Sequence, residues 1–227
     1  MSDEPEQPDD PIVAAIGEHV VKYVGPVTDV LQERVSDVVR IDFLVVGPTE
    51  GRPFTTLVTC GMSELPMRVP LENPDDLALI PELRFAELLL ALPPDWPLTP
   101  DAFRDEANYW PVRWLKRLAR LPHQMDGWLG IGHTIPNGDP PRPLAPTVPF
   151  AGWLIDEPVR LPREVQKLRL ADRVINFYAA VPLTAAEMEF KLKDGGAALA
   201  QHLDRAKVSE VIDVGRGDVT GPGEPGA

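Results

Sequence analysis

The sequence predicts an α+β domain, a mixed or antiparallel sheet with flanking helices. Three observations carry this. Segments with the helical period and segments with the strand period are interspersed, without the regular β-α-β alternation of a parallel sheet. The hydrophobic share is 44% of 227 residues, enough for a substantial core. The 27 prolines are scattered rather than tandem, so they mark turns and edge positions instead of a polyproline rod.

Residues 1–9 are acidic and proline-containing and read as a disordered tail. Asp10 followed by Pro11 has the form of an N-cap and first helical residue. Ile12, Ile16, Val20 and Val24 then recur at helical spacing until Gly25-Pro26 stops the helix. Between 37 and 60 the pattern changes to a hairpin. Val39, Ile41, Phe43 and Val45 alternate, residues 47–52 carry turn residues, and the β-branched run Phe54 to Cys60 returns the chain.

Residues 61–84 read as irregular, broken by four prolines. The run Phe85 to Leu92 fits either a helix or a buried strand. A helix is predicted over 109–121, capped by Asn108 and carrying Pro111 in its first turn. Its apolar stripe is Val112, Leu115, Leu118 and Ala119; Arg113, Lys116, Arg117 and Arg120 form a basic stripe. Strands are predicted at 147–156 and 173–181. Thr184 with Glu187 has the spacing of a capping box, and the helix it opens is interrupted at Gly195-Gly196 before a second amphipathic segment to about 206. The domain is bounded at 10–207, with a flexible glycine- and proline-rich tail over 208–227.

Charge and cysteine content narrow the function classes. The formal net charge is −13, which repels phosphate backbones and argues against nucleic acid. The same charge favours encounter with a basic protein partner. Cys60 is the only cysteine, so neither an intrachain disulfide nor a cysteine-based zinc site forms. The acidic N-terminus is unlike a signal peptide, and the apolar runs are too short for a membrane span. A cytoplasmic protein without a membrane anchor, metal or other cofactor is expected.

Candidate catalytic groups are few. Gly61-Met62-Ser63 has half of a nucleophile elbow, since the second glycine is missing. Cys60 paired with His133 or His123 would make a thiol–imidazole couple. These define an alternative reading, a hydrolase using Ser63 or Cys60 with His133. A purely structural scaffold is a third. Gly127, Gly130 and Gly132 are spaced Gly-x-x-Gly-x-Gly, the wrong order for a dinucleotide loop. The segment Trp128 to Ile135 instead combines a large aromatic anchor, backbone freedom and polar side chains, as a bulged strand or a recognition surface would. Its candidate contact residues are Trp128, Gly132, His133 and Thr134, joined by the basic Arg113, Arg117 and Arg120. Such a site takes a protein partner.

An ordered set of short motifs resembles the suppressor-of-fused domain. It runs from Glu87-Leu88 and Pro93-Pro94-Asp95-Trp96, through Tyr109-Trp110-Pro111, to Trp128 with Gly132-His133-Thr134-Ile135 and Val181-Pro182-Leu183 before Glu187. The resemblance covers about residues 30–206. It implies a suppressor-of-fused-like α+β fold without enzymatic activity. In animals the family sequesters a transcription factor, clamping an extended peptide between two domains, of which only the first is matched here. The segment matching Trp128 to Thr134 lies near the family's peptide-binding region. Short bacterial relatives are associated with toxin systems, which implies an immunity protein that neutralises a toxin.

Overall fold

The computed structural model describes residues 10–33, 36, 38–70 and 77–221. The expected tail at 1–9 and the end of the second tail lie outside them. Helix α1 spans Pro11–Tyr23, and the Asp10 side chain accepts the Ile12 N–H as its cap. Strands β1 (Val27–Leu31), β2 (Asp42–Val46) and β3 (Thr55–Cys60) follow as an antiparallel meander. A short helix α2 (Ile80–Leu83) leads into β4 (Phe85–Leu92), which resolves the ambiguous run as a strand.

The reason for the ambiguity is double-sided burial. Leu88, Leu90 and Leu92 enter one core while Leu89 and Ala91 enter the other. A strand covered on both faces loses its apolar–polar alternation.

Helix α3 is Glu106–Gln124, longer than expected. Its cap is Asp105, whose side chain accepts the Ala107 N–H, and not Asn108. Pro111 consequently sits inside the helix rather than in its first turn. An interior proline costs about 3 kcal/mol. Burial of Trp110, Val112, Trp114, Leu115 and Leu118 against the sheet offsets that loss.

Strands β5 (Thr134–Pro136) and β6 (Phe150–Asp156) pair antiparallel. β7 (Lys167–Arg169) and β8 (Val174–Thr184) form a hairpin. Thr184 and Glu187 complete the predicted capping box of α4 (Ala185–Asp194), and Gly195 separates it from α5 (Gly196–Arg205).

Among the described residues the sheet has eight strands in the order β1-β2-β3-β4-β8-β6-β5, with β7 also paired to β8. It is mixed, because β4 and β8 run parallel while the other pairs are antiparallel. α3 packs on one face; α1, α4 and α5 pack on the other. The result is a three-layer α+β architecture. No helix of the described residues is long and apolar enough to cross a membrane.

Residues 208–221 correct the expected tail. Ile212 is buried, its N–H donates to Ala91 O, and the Ala91 N–H donates to Glu210 O. The segment thus pairs with the end of β4 as a parallel bridge between Ala91 and Val211. Glycine and proline set its composition, but two buried side chains, Glu210 and Ile212, decide its placement.

Candidate functional site

The Trp128 segment begins where α3 ends. Asp126 has a left-handed backbone (φ 50°), and the Gly127 N–H donates back to Pro122 O while its carbonyl accepts from Arg68 N–H. Trp128 is half-buried against the α3-side core. Its ring lies so close to Gly130 that a Cβ there would be 2.4 Å from a ring carbon. Only glycine admits the ring at that place. The His133 ring packs edge-on against Trp128, with centroids 4.5 Å apart. Burial, then the charge of Lys191, holds the His133 imidazole below its usual value.

The segment is bulged, as one of its two readings expects. Ile155 O accepts the Gly132 N–H, while the Ile155 N–H donates to His133 O. Two residues therefore oppose one, with a glycine at φ 87° in the first position. β5 starts immediately after, at Thr134, on the edge of the sheet. Lys191 of α4 donates to both Gly132 O and Thr134 Oγ1, fixing the bulge to the helix layer. The exposed side of Trp128 lines a shallow depression of about 400 Å³ with Arg68, Val69, Pro70 and Asp126. An ion pair between Arg68 and Asp126 spans it.

The basic stripe is not one free surface. Arg120 pairs with Glu33 and donates to Val39 O at 3.1 Å; Lys116 lies 3.6 Å from the same Glu33. Arg113 pairs with Glu106 and, with the Trp114 indole, donates to Leu144 O. These contacts tie α3 to the connection between β1 and β2 and to the proline-rich loop. Arg117 alone is exposed and stacks on Trp114, 4.3 Å from the ring centroid. The stripe is thus held by Glu33, Val39, Glu106 and Leu144, and the Trp128 ring by Gly130 and His133; no hydrogen bond among the described residues joins the two sets.

The candidate nucleophiles sit elsewhere again. Ser63 is buried and its hydroxyl donates to Glu87 Oε1 at 2.7 Å. The Glu87 carboxylate also receives Thr59 Oγ1 (2.6 Å) and the N–H groups of Gly61 (3.1 Å) and Ser63 (3.0 Å). Burial raises the Glu87 carboxyl above its usual range, and burial raises the Cys60 thiol as well. His123 Nε2 lies 3.0 Å from Met62 O. Among the described residues no hydrogen bond connects Ser63 or Cys60 with His133. The cluster pins the turn after β3 onto β4.

Sequence reasoning missed several structural anchors. Glu87 stands in a strand buried on both faces, and a lone glutamate in an apolar run is the signal that could have found it. Lys191 and Arg216 carried no local signal, because their partners come from distant segments. Arg216 pairs with buried Glu187, donates to Pro182 O at 2.8 Å and covers Phe150.

Residues 37–217 match the model of a family described as "Suppressor of fused protein (SUFU)". A comparison with curated proteins gives no match. Among solved structures, a suppressor-of-fused homologue from Neisseria gonorrhoeae superposes with a TM-score of 0.62 at 16% identity, over 92% of this chain and 96% of that one. A chain of the Sufu–Fu complex gives a TM-score of 0.60 at 16% identity, over 92% of both chains. Drosophila Suppressor of Fused gives 0.56 at 16% identity; 92% of this chain is matched to 50% of that protein. These similarities establish a shared fold.

Proposed function

The chain belongs to the suppressor of fused family, and from that premise we propose that it is a non-enzymatic protein-binding domain whose contact surface includes Trp128, Gly132, His133 and Thr134. The observation that carries this is the presentation of Trp128. Gly130 and His133 hold the indole half-exposed beside a sheet edge, where a large aromatic group can anchor a partner. Among the described residues no strand pairs with the outer side of β5, which suits an extended segment of the partner. A Sufu–Fu complex exists for a relative of the same fold, which supports protein binding as the shared activity. The burial of Ser63 and Cys60, and the commitment of the Ser63 hydroxyl to Glu87, support the absence of a catalytic role.

The finer role is occlusion. A short member of this family, acting in the cytoplasm, covers the active surface of a toxin and so works as an immunity protein. Occlusion needs shape and charge complementarity rather than reacting groups. Of the basic stripe, Arg117 is the residue with the freest guanidinium, and it extends the contact surface on α3.

The test is calorimetry with a partner captured by cross-linking in the native cells. Trp128→Ala should weaken binding by about tenfold or more, the scale of a hot-spot residue, while circular dichroism shows an unchanged fold. Unaltered affinity in a folded variant would remove Trp128 from the contact surface. Co-expression with a neighbouring toxin gene then separates occlusion from other binding roles: loss of protection in Trp128→Ala supports the immunity role, and toxicity unaffected by the wild-type protein refutes it.

A further inference from the structure

We infer that the outer edge of β7, together with α1, forms a second peptide site that takes an extended segment alternating acidic and apolar residues. It shares no element with the Trp128 surface. The hydrogen-bond phase of the hairpin comes first. The Leu170 N–H donates to Arg173 O, and Leu168 stands opposite Ile175. Residues 168 and 170 therefore direct their backbone groups at β8. Antiparallel alternation turns the N–H and C=O groups of Lys167 and Arg169 outward. No strand pairs with that side of β7 among the described residues.

The outward groups border a groove of about 430 Å³, walled by Glu18, His19 and Lys22 of α1 and floored by Leu168. Its size falls within the range of ligand sites, about 300–1,000 Å³. The wall is firmly set: His19 Nε2 lies 2.9 Å from Val165 O, and its ring stacks on Phe177 at 4.9 Å.

The side chains dictate the occupant. Lys167 and Arg169 leave the strand on one face and share a single carboxylate, Glu82, at 3.1 and 3.3 Å. Two cations on one anion keep an excess positive charge. Lys22 adds another across the groove, against Glu18. Leu168 leaves on the opposite face and packs on the core beneath α1. A strand laid along β7 would place one set of side chains beside Lys167 and Arg169 and the other beside Leu168. Acidic residues suit the first set and apolar residues the second. Edge lysines deter indiscriminate strand pairing by their charge. An acidic strand converts that same charge into attraction, so the edge is selective rather than closed.

The probe is a capped, fluorescein-labelled nonapeptide alternating glutamate and valine, followed by fluorescence anisotropy with the full chain. It should bind, and a peptide of the same composition in scrambled order should bind far less. Lys167→Glu with Arg169→Glu should weaken binding by about tenfold, the scale of two reversed cross-strand pairs. Glu82→Gln should tighten it, because the two cations are then free for the ligand. Alternate N-methylation of the peptide should abolish binding to the wild-type protein, an arm that stands even if the double variant fails to fold. Equal binding of the scrambled or N-methylated peptide overturns the site. So does the absence of binding at millimolar peptide.

Discussion

Gly130 shows how single residues set the candidate surface. Its missing side chain is the room in which the Trp128 ring lies. The glycine spacing of this segment was legible as a demand for unusual backbone, and Gly132 meets it in the bulge. What the spacing served was not legible, since Ile155 and Lys191, which complete the arrangement, lie far along the chain. Glu87 makes the same point more sharply. Its four donors come from Thr59, Gly61 and Ser63, and no local pattern announces them. Glu87→Ala should lower the unfolding free energy by about 3 kcal/mol or more, because several buried donors lose their acceptor. Glu87→Gln should cost less, since one acceptor oxygen remains. Urea denaturation of the three proteins would measure both. Loss of binding without loss of stability in Glu87→Ala would instead assign this cluster a functional role.

Among the elements, those with strong local grammar agree best with the structure. α1 has its Asp10 cap and Pro11 start, and α4 has its capping box. Both signals are made within one turn, so sequence alone contains them. β4 carried no such signal, because burial on two faces erased its period. The three-residue β7 is too short to show a period, and its pairing with β8 decides it. α3 starts three residues before the expected position, because Pro111 has the form of a first-turn residue. Asp105 wins instead, since its carboxylate satisfies a free N–H that Asn108, already inside the helix, cannot reach. Asp105→Ala should therefore destabilise the fold by about 1 kcal/mol, the usual cost of a lost cap. Asn108→Ala should remove only the bond from its side chain to Ala102 O. Thermal melts of the pair distinguish the two caps: a larger drop for Asn108→Ala would reverse the assignment.

At the scale of the molecule, the α+β class and the mixed sheet were legible from the interspersed periods. The parallel β4–β8 contact was not, as it joins segments with α3, β5 and β6 between them. The net charge is a bulk property of the sequence and says nothing of where single charges go: the basic stripe is largely spent on internal ties to Glu33, Glu106 and Leu144. Composition alone puts the boundary at 207, whereas the burial of Ile212 and the Arg216–Glu187 pair tie the following residues to the domain. Arg216→Ala would leave Glu187 buried without its cation and should cost about 3 kcal/mol or more. Differential scanning calorimetry would read this as a clear fall in Tm. An unchanged Tm would return residues 208–221 to the status of a dispensable tail.

The bridge between Ala91 and Val211 has a kinetic consequence. Among the described segments, the one that closes the edge of β4 is the last to be synthesised. A chain emerging from the ribosome would hold β1 to β4 as a local meander long before that partner appears. Contacts this distant in sequence slow the final step of folding. Until it is taken, the end of β4 is a bare hydrogen-bonding edge, open to wrong partners during translation.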